Sequence, residues 1–164
     1  MLKPTAWLGG ILLISAMSIS MASMAVAHDV KTEALRIAHP FATPTPPGAV
    51  NGAAYIDITA FSDPITLIGA SSPVSSNVEL HDMQMDGDMM QMRHVDEIRV
   101  EAGETYTMRP GGGFHLMLIG LSEPLKEGER FPLTLTFAEQ DDVDIEVWIQ
   151  SAQEGSEAAD GHHH

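Results

Sequence analysis

Between residues 81 and 117 the chain concentrates two side-chain types that share one chemistry. Three of its eight histidines (His81, His94 and His115) lie there, together with every methionine outside the N-terminal apolar stretch. Met83, Met85, Met89, Met90 and Met92 fall close together, and Met117 follows two residues after His115. Thioether sulfur is a soft, neutral donor suited to Cu(I), and imidazole binds most late transition metals. The chain has no cysteine, which removes disulfides, thiolate metal sites and a cysteine nucleophile. It also removes the Cys ligand that a blue-copper electron carrier requires.

Such donors have to be brought together by the backbone. Residues two apart in a strand share a face, so His115 and Met117 point the same way. His81 closes the alternating stretch Asn77-Val78-Glu79-Leu80-His81, and Asp86-Gly87 signals a hairpin turn whose return arm carries Met92. If these strands are neighbours, His81, Met92, His115 and Met117 converge as two imidazoles and two thioethers, a set of the right number and softness for Cu(I). Taken singly, each has an ordinary explanation: Met117 as core, Met92 as gap filler, His115 as a satisfied histidine, His81 as a loop residue. Met83, Met85, Met89 and Met90 read either as auxiliary metal ligands or as an adaptable interaction surface.

The elements around this stretch are short and β-rich. Leu35–His39, Ala53–Phe61, Ile65–Ala70, Glu97–Val100, Thr105–Met108, Phe114–Leu121, Phe131–Phe137 and Val143–Ile149 read as strands, separated by Gly, Pro and Asp turn signals. Pro40–Gly48, with its prolines, reads as an extended loop crossing from one sheet to another. This spacing predicts a single antiparallel all-β domain over residues 28–150, either a sandwich or a barrel. Residues 151–164 are acidic, small and polar, and read as a disordered tail ending in His162-His163-His164. Residues 1–27 have a positive start, an apolar run and the small-x-small site Ala25-Val26-Ala27, the pattern of a cleaved signal peptide. The reading is therefore of an exported, periplasmic protein with no membrane segment after cleavage.

Eight Lys and Arg stand against twenty-three Asp and Glu, a formal charge of -15. That balance argues against nucleic acid and anionic membranes as partners, since both demand cations, and favours a basic partner face. The amino group and imidazole of His28, freed by cleavage, and His162, His163 and His164 offer a second site suited to Cu(II).

The stretches Gly52-Ala53-Ala54-Tyr55, Leu67–Pro73, Val78–His81, Met90-Gln91-Met92-Arg93, Val95-Asp96, Pro110-Gly111-Gly112 and His115-Leu116-Met117-Leu118 resemble the periplasmic copper chaperones called PCuAC-like. That family's pattern is His, ten residues, Met, twenty-one residues, His-x-Met. His81 and Met92 fit it; Met92 and His115 are separated by one residue more, residues 93–114, with Gly113 the natural insertion. Phe41 stands where the family often has Trp. The resemblance implies a cupredoxin-like or Ig-like β-sandwich, a monomer without catalytic activity, that binds Cu(I) through His81, Met92, His115 and Met117. It further implies delivery to a copper-accepting protein, such as the CuA site of cytochrome c oxidase subunit II or a thioredoxin-like delivery protein. A secreted copper-dependent redox enzyme using His28 and a non-metal β-sandwich binding module are the alternatives.

Overall fold

The computed structural model describes residues 29–161. Its strands are β1 (Val30–Lys31), β2 (Leu35–Ala42), β3 (Asn51–Ala60), β4 (Ile65–Ser71), β5 (Ser75–Asp86) and β6 (Met89–His94), followed by β7 (Ile98–Val100), β8 (Thr105–Thr107), β9 (Gly113–Leu121), β10 (Arg130–Phe137) and β11 (Val143–Ile149). One helix, α1 (Ala152–Asp160), closes the described chain. Residues 1–27, read above as a signal peptide, His28 and His162–His164 lie outside the described residues.

The strands form one sheet that closes on itself in the order β2–β11–β10–β4–β5–β9–β3, with β3 returning to β2. Every pair in this ring is antiparallel except β11–β2. The expected sandwich is therefore corrected to a barrel. A sandwich needs sheet edges between its two layers, whereas here β3 bonds β2 along one side and both β8 and β9 along the other.

Alternation of side chains builds the interior. Ile37, Ile56, Ile58, Leu116, Leu118 and Leu135 are all fully buried, each contributing about 1.5–3 kcal/mol through removal from water. β2 does not stop at His39 as expected. His39 takes φ 50° and the β2–β3 register shifts between Ala38 and Phe41. Such a bulge admits Pro40 and re-aims the chain, so the strand runs on to Ala42. It turns Phe41 onto the outer wall, where it stacks on Tyr55.

The tail is also corrected, because residues 152–160 are helical rather than structureless. Ser151 caps α1 by accepting from the Glu154 N–H, a gain of about 1 kcal/mol over an uncapped start. Gly155 and Ala159 are buried, and Gly155 lies flat on the Phe41 ring. Arg109 ties the far end down, bonding Asp57 through both oxygens and Asp160 through one. Composition understates such a segment, since small residues permit close docking while offering little apolar signal of their own.

Candidate metal centre

β5 pairs with β9 from Ser75↔Leu121 to Met83↔Gly113. Parity splits the two strands cleanly: Val78, Leu80, Leu116 and Leu118 fill the barrel, so Glu79, His81, Met83, His115 and Met117 share the outer wall. In this register His81 faces His115, and on its other side β6 sets His94 opposite His81. The ring centroids are 5.8 Å apart for His81–His115 and 5.9 Å for His81–His94. A first-row metal about 2 Å from an imidazole nitrogen sits about 3 Å from the ring centroid, so one ion fits between His81 and His115.

The row continues inward. Tyr55 lies 6.4 Å from His115 and Phe41 5.1 Å from Tyr55, centroid to centroid. Five rings thus cross β2, β3, β9, β5 and β6, wet at the hairpin end and covered by α1 at the other.

His115 is only 1% exposed, yet neither of its ring nitrogens has a hydrogen-bond partner, and Nδ1 of His81 is likewise buried and unpartnered. Buried polar atoms left this way cost about 1–3 kcal/mol each, so three together are dearly held. Burial lowers the pKa of His115; the Gly113 backbone pulls the other way without reaching hydrogen-bond geometry, and His81 adds to the lowering. The ring is thereby kept neutral, the form that ligates a metal.

Glu79 orients the second imidazole. Its Oε2 lies 2.9 Å from Nε2 of His81, and this hydrogen bond is the largest cause of the lowered Glu79 pKa. An ionised carboxylate only accepts, so Nε2 donates to it, and in the neutral ring Nδ1 is the nitrogen that keeps the lone pair. The free Nδ1 is the buried, unpartnered atom.

Met117 lies across from Glu79, half-buried and next to His115 on the same face. Met92 is placed differently. It stands opposite Met83, one strand beyond β5, and is 53% exposed. The strands therefore gather His81, His115 and Met117, and hold Met92 on the far side of Met83. Among the described residues no group of three or more His, Asp or Glu side chains is placed to hold a metal ion.

Of the auxiliary methionines, Met83, Met85 and Met90 share the site's face, because they alternate in step with His81 and His94. Met89, on the other parity of β6, points away from it. Two neighbours were not singled out from sequence, Glu79 and His94. The signal for Glu79 was its i, i+2 relation to His81. For His94 it was its mirror position across the Asp86-Gly87 turn.

Residues 35–149 match the family described as "LpqE-like: Putative lipoprotein LpqE-like". The chain belongs to the LpqE-like family. It is 34% identical over 74 residues to "Putative lipoprotein Lxx21020" of Leifsonia xyli subsp. xyli (strain CTCB07), a match covering 44% of this chain and 44% of that protein, so under half of that relative's length is spanned. Among solved structures, this LpqE-like chain resembles the copper-bound PCuAC domain from PmoF2, with TM-score 0.65 and 23% identity over 76% of this chain and 98% of that one. It also resembles the solution structure of CuI-DR1885 from Deinococcus radiodurans, with TM-score 0.58 and 27% identity over 79% of this chain and 85% of that one. The resemblance to PCuAC domains read from the sequence motifs is borne out, and the LpqE-like domain here has their fold.

Proposed function

We propose that this LpqE-like protein is an extracytoplasmic copper chaperone, not an enzyme, that carries Cu(I) on His81, His115, Met117 and Met92. One observation carries the reading: two imidazoles face each other across β5 and β9 with three buried ring nitrogens left without partners, beside a thioether. The Cu(I) form of DR1885 supports the same oxidation state. Both donor types are neutral, so the bound ion keeps its charge, and the chain's formal charge of -15 favours cations nearby.

Delivery proceeds by ligand exchange. The exposed thioether of Met92 leaves first, an incoming thiolate of the acceptor takes its position, and His115, the most buried ligand, leaves last. The acceptor is a thiolate-bearing copper protein of the cell envelope, of the kind represented by the CuA site of cytochrome c oxidase or a thioredoxin-like delivery protein. The chain acts as a monomer in the periplasm, reached through the 1–27 signal peptide. Its 164 residues hold no cysteine, so they carry no cysteine-linked lipid. A Cu(II) site at His28 and His162–His164 completes the proposal.

Anaerobic Cu(I) titration with X-ray absorption tests it. A tight first equivalent with mixed nitrogen and sulfur neighbours is expected; an all-nitrogen shell, or no binding, overturns it.

A further inference from the structure

The β5–β6 hairpin carries a feature that neither the core nor the imidazole row uses. β6 bonds only to β5 and stands off the closed ring, and all six of its residues are exposed. Met85, Met90 and Met92 are 62%, 54% and 53% exposed. Met108, by contrast, is fully buried and belongs to the core. Packing therefore does not account for the hairpin methionines.

Register arranges them. Met83 pairs with Met92 and Met85 with Met90, and all four share the face of His81. Directly opposed side chains in an antiparallel pair have Cβ atoms about 4.5–5.5 Å apart, and diagonal neighbours are about 7–8 Å apart, spans that long flexible methionine side chains bridge. The opposite face of the same hairpin is polar. There Gln84 donates to Asp82 and Gln91 to Asp86, the latter at 3.0 Å. These amides hold the carboxylates on the far face, leaving four thioethers on the near one, with the imidazoles of His81 and His94 at its inner end. Towards the turn, Met85 and Met90 present thioether sulfur, which suits a soft monovalent ion better than a hard or borderline one.

We infer that Met83, Met85 and Met90 form a second, thioether-only site for a soft monovalent cation of the Cu(I) class, on the hairpin and distinct from the His81–His115 centre. It deepens the chaperone reading and rests on it. Met83 touches both regions by position, two residues from His81 on β5 and diagonal to Met90. The site is open to water and lacks imidazole, so it binds more weakly than the inner centre. It receives the ion at the hairpin and passes it inward by exchange of one thioether at a time, with no change in oxidation state and no proton released.

The test is an anaerobic Cu(I) titration of the protein followed by the ε-methyl resonances of its methionines. The expected result is two equivalents, the first moving Met92 and Met117 and the second moving Met83, Met85 and Met90. In Met85→Leu/Met90→Leu the second equivalent is lost while the first keeps its affinity within about twofold. His115→Ala/Met117→Leu loses the tight equivalent and keeps the weaker one. A wild-type protein that takes one equivalent, moving Met92 and Met117 alone, overturns the second site and leaves the chaperone reading standing. So does a second equivalent that leaves the Met83, Met85 and Met90 methyls unmoved. No binding at all overturns both.

Discussion

His81 and His115 face each other across β5 and β9 at 5.8 Å between ring centroids, and only Nε2 of His81, held by Glu79, has a hydrogen-bond partner. The fold buries three of these nitrogens without protein partners, so stability and metal binding should oppose each other here. His115→Leu removes two buried orphan atoms at similar volume. Thermal unfolding of the metal-free protein should show no loss, and a gain of up to about 1–3 kcal/mol, while the Cu(I)-induced rise in Tm disappears. A large loss of stability without metal would mean that His115 is a structural residue.

The same residue sets a pH dependence. Burial lowers the folded-state pKa of His115 below the ordinary imidazole value of 6.5, so below that value the unfolded chain takes up the proton first. Its contribution to stability is therefore lost as pH falls from about 6.5 through the folded pKa, and is constant above, with a limiting slope of about 1.4 kcal/mol per pH unit. Urea unfolding of the metal-free protein between pH 7.5 and 5 should show this decline, and His115→Leu should flatten it. An equal decline in both proteins would assign it elsewhere.

Glu79 is a positioning residue. Its carboxylate accepts from Nε2 of His81 at 2.9 Å, which in the neutral ring favours the Nε2–H tautomer and leaves Nδ1 as the nitrogen for the proposed metal. Outer partners of this kind typically matter about 10–100-fold in metal affinity. Glu79→Ala should weaken Cu(I) binding by that factor, and nitrogen NMR should show His81 as a tautomer mixture. Unchanged affinity with an unchanged tautomer would rule the role out.

That His115 and Met117 share a face was legible because a strand's period of two is written directly in the sequence, whereas the His81–Met92 spacing was legible through the resemblance to the PCuAC-like pattern. The alternation of Leu116 and Leu118 against His115 and Met117 likewise told inside from outside. Closure was not legible: the same alternating strands suit a sandwich or a barrel, and only the β2–β3 pairing decides. Glu79 stayed hidden because a carboxylate two residues from a histidine is common, and its meaning needs the 2.9 Å contact. The register also separates Met92 from Met117 more than linear spacing suggested, since β6 lies outside the ring.

α1 docks through an absence. A Cβ on Gly155 would strike the Phe41 ring, so Gly155→Ala gains helix propensity of about 1 kcal/mol but overpacks a ring contact, at about 1–3 kcal/mol. Undocking should prevail. Amide exchange in 152–160 should rise to that of an open segment, with Cu(I) stoichiometry unchanged. Protection equal to wild type would show that Phe41 yields instead.

Gly113, the extra residue in the His–Met spacing, sits at the head of β9 rather than in the preceding turn, opposite Met83. Its φ is 74°, and a Cβ there would lie 2.7 Å from the Tyr106 hydroxyl. That hydroxyl accepts from the Phe114 N–H at 3.1 Å, pinning the backbone immediately before His115. Gly113→Ala therefore combines left-handed strain of about 1–2 kcal/mol with displacement of this acceptor, and His115 should shift with it. Cu(I) affinity should fall together with stability. Tyr106→Phe separates the two causes, because it removes the hydroxyl that the new methyl would strike. In that background Gly113→Ala should lose only the strain, so the double-mutant cycle should give a coupling of about 1 kcal/mol. Additive effects would show that Tyr106 does not transmit the change to His115.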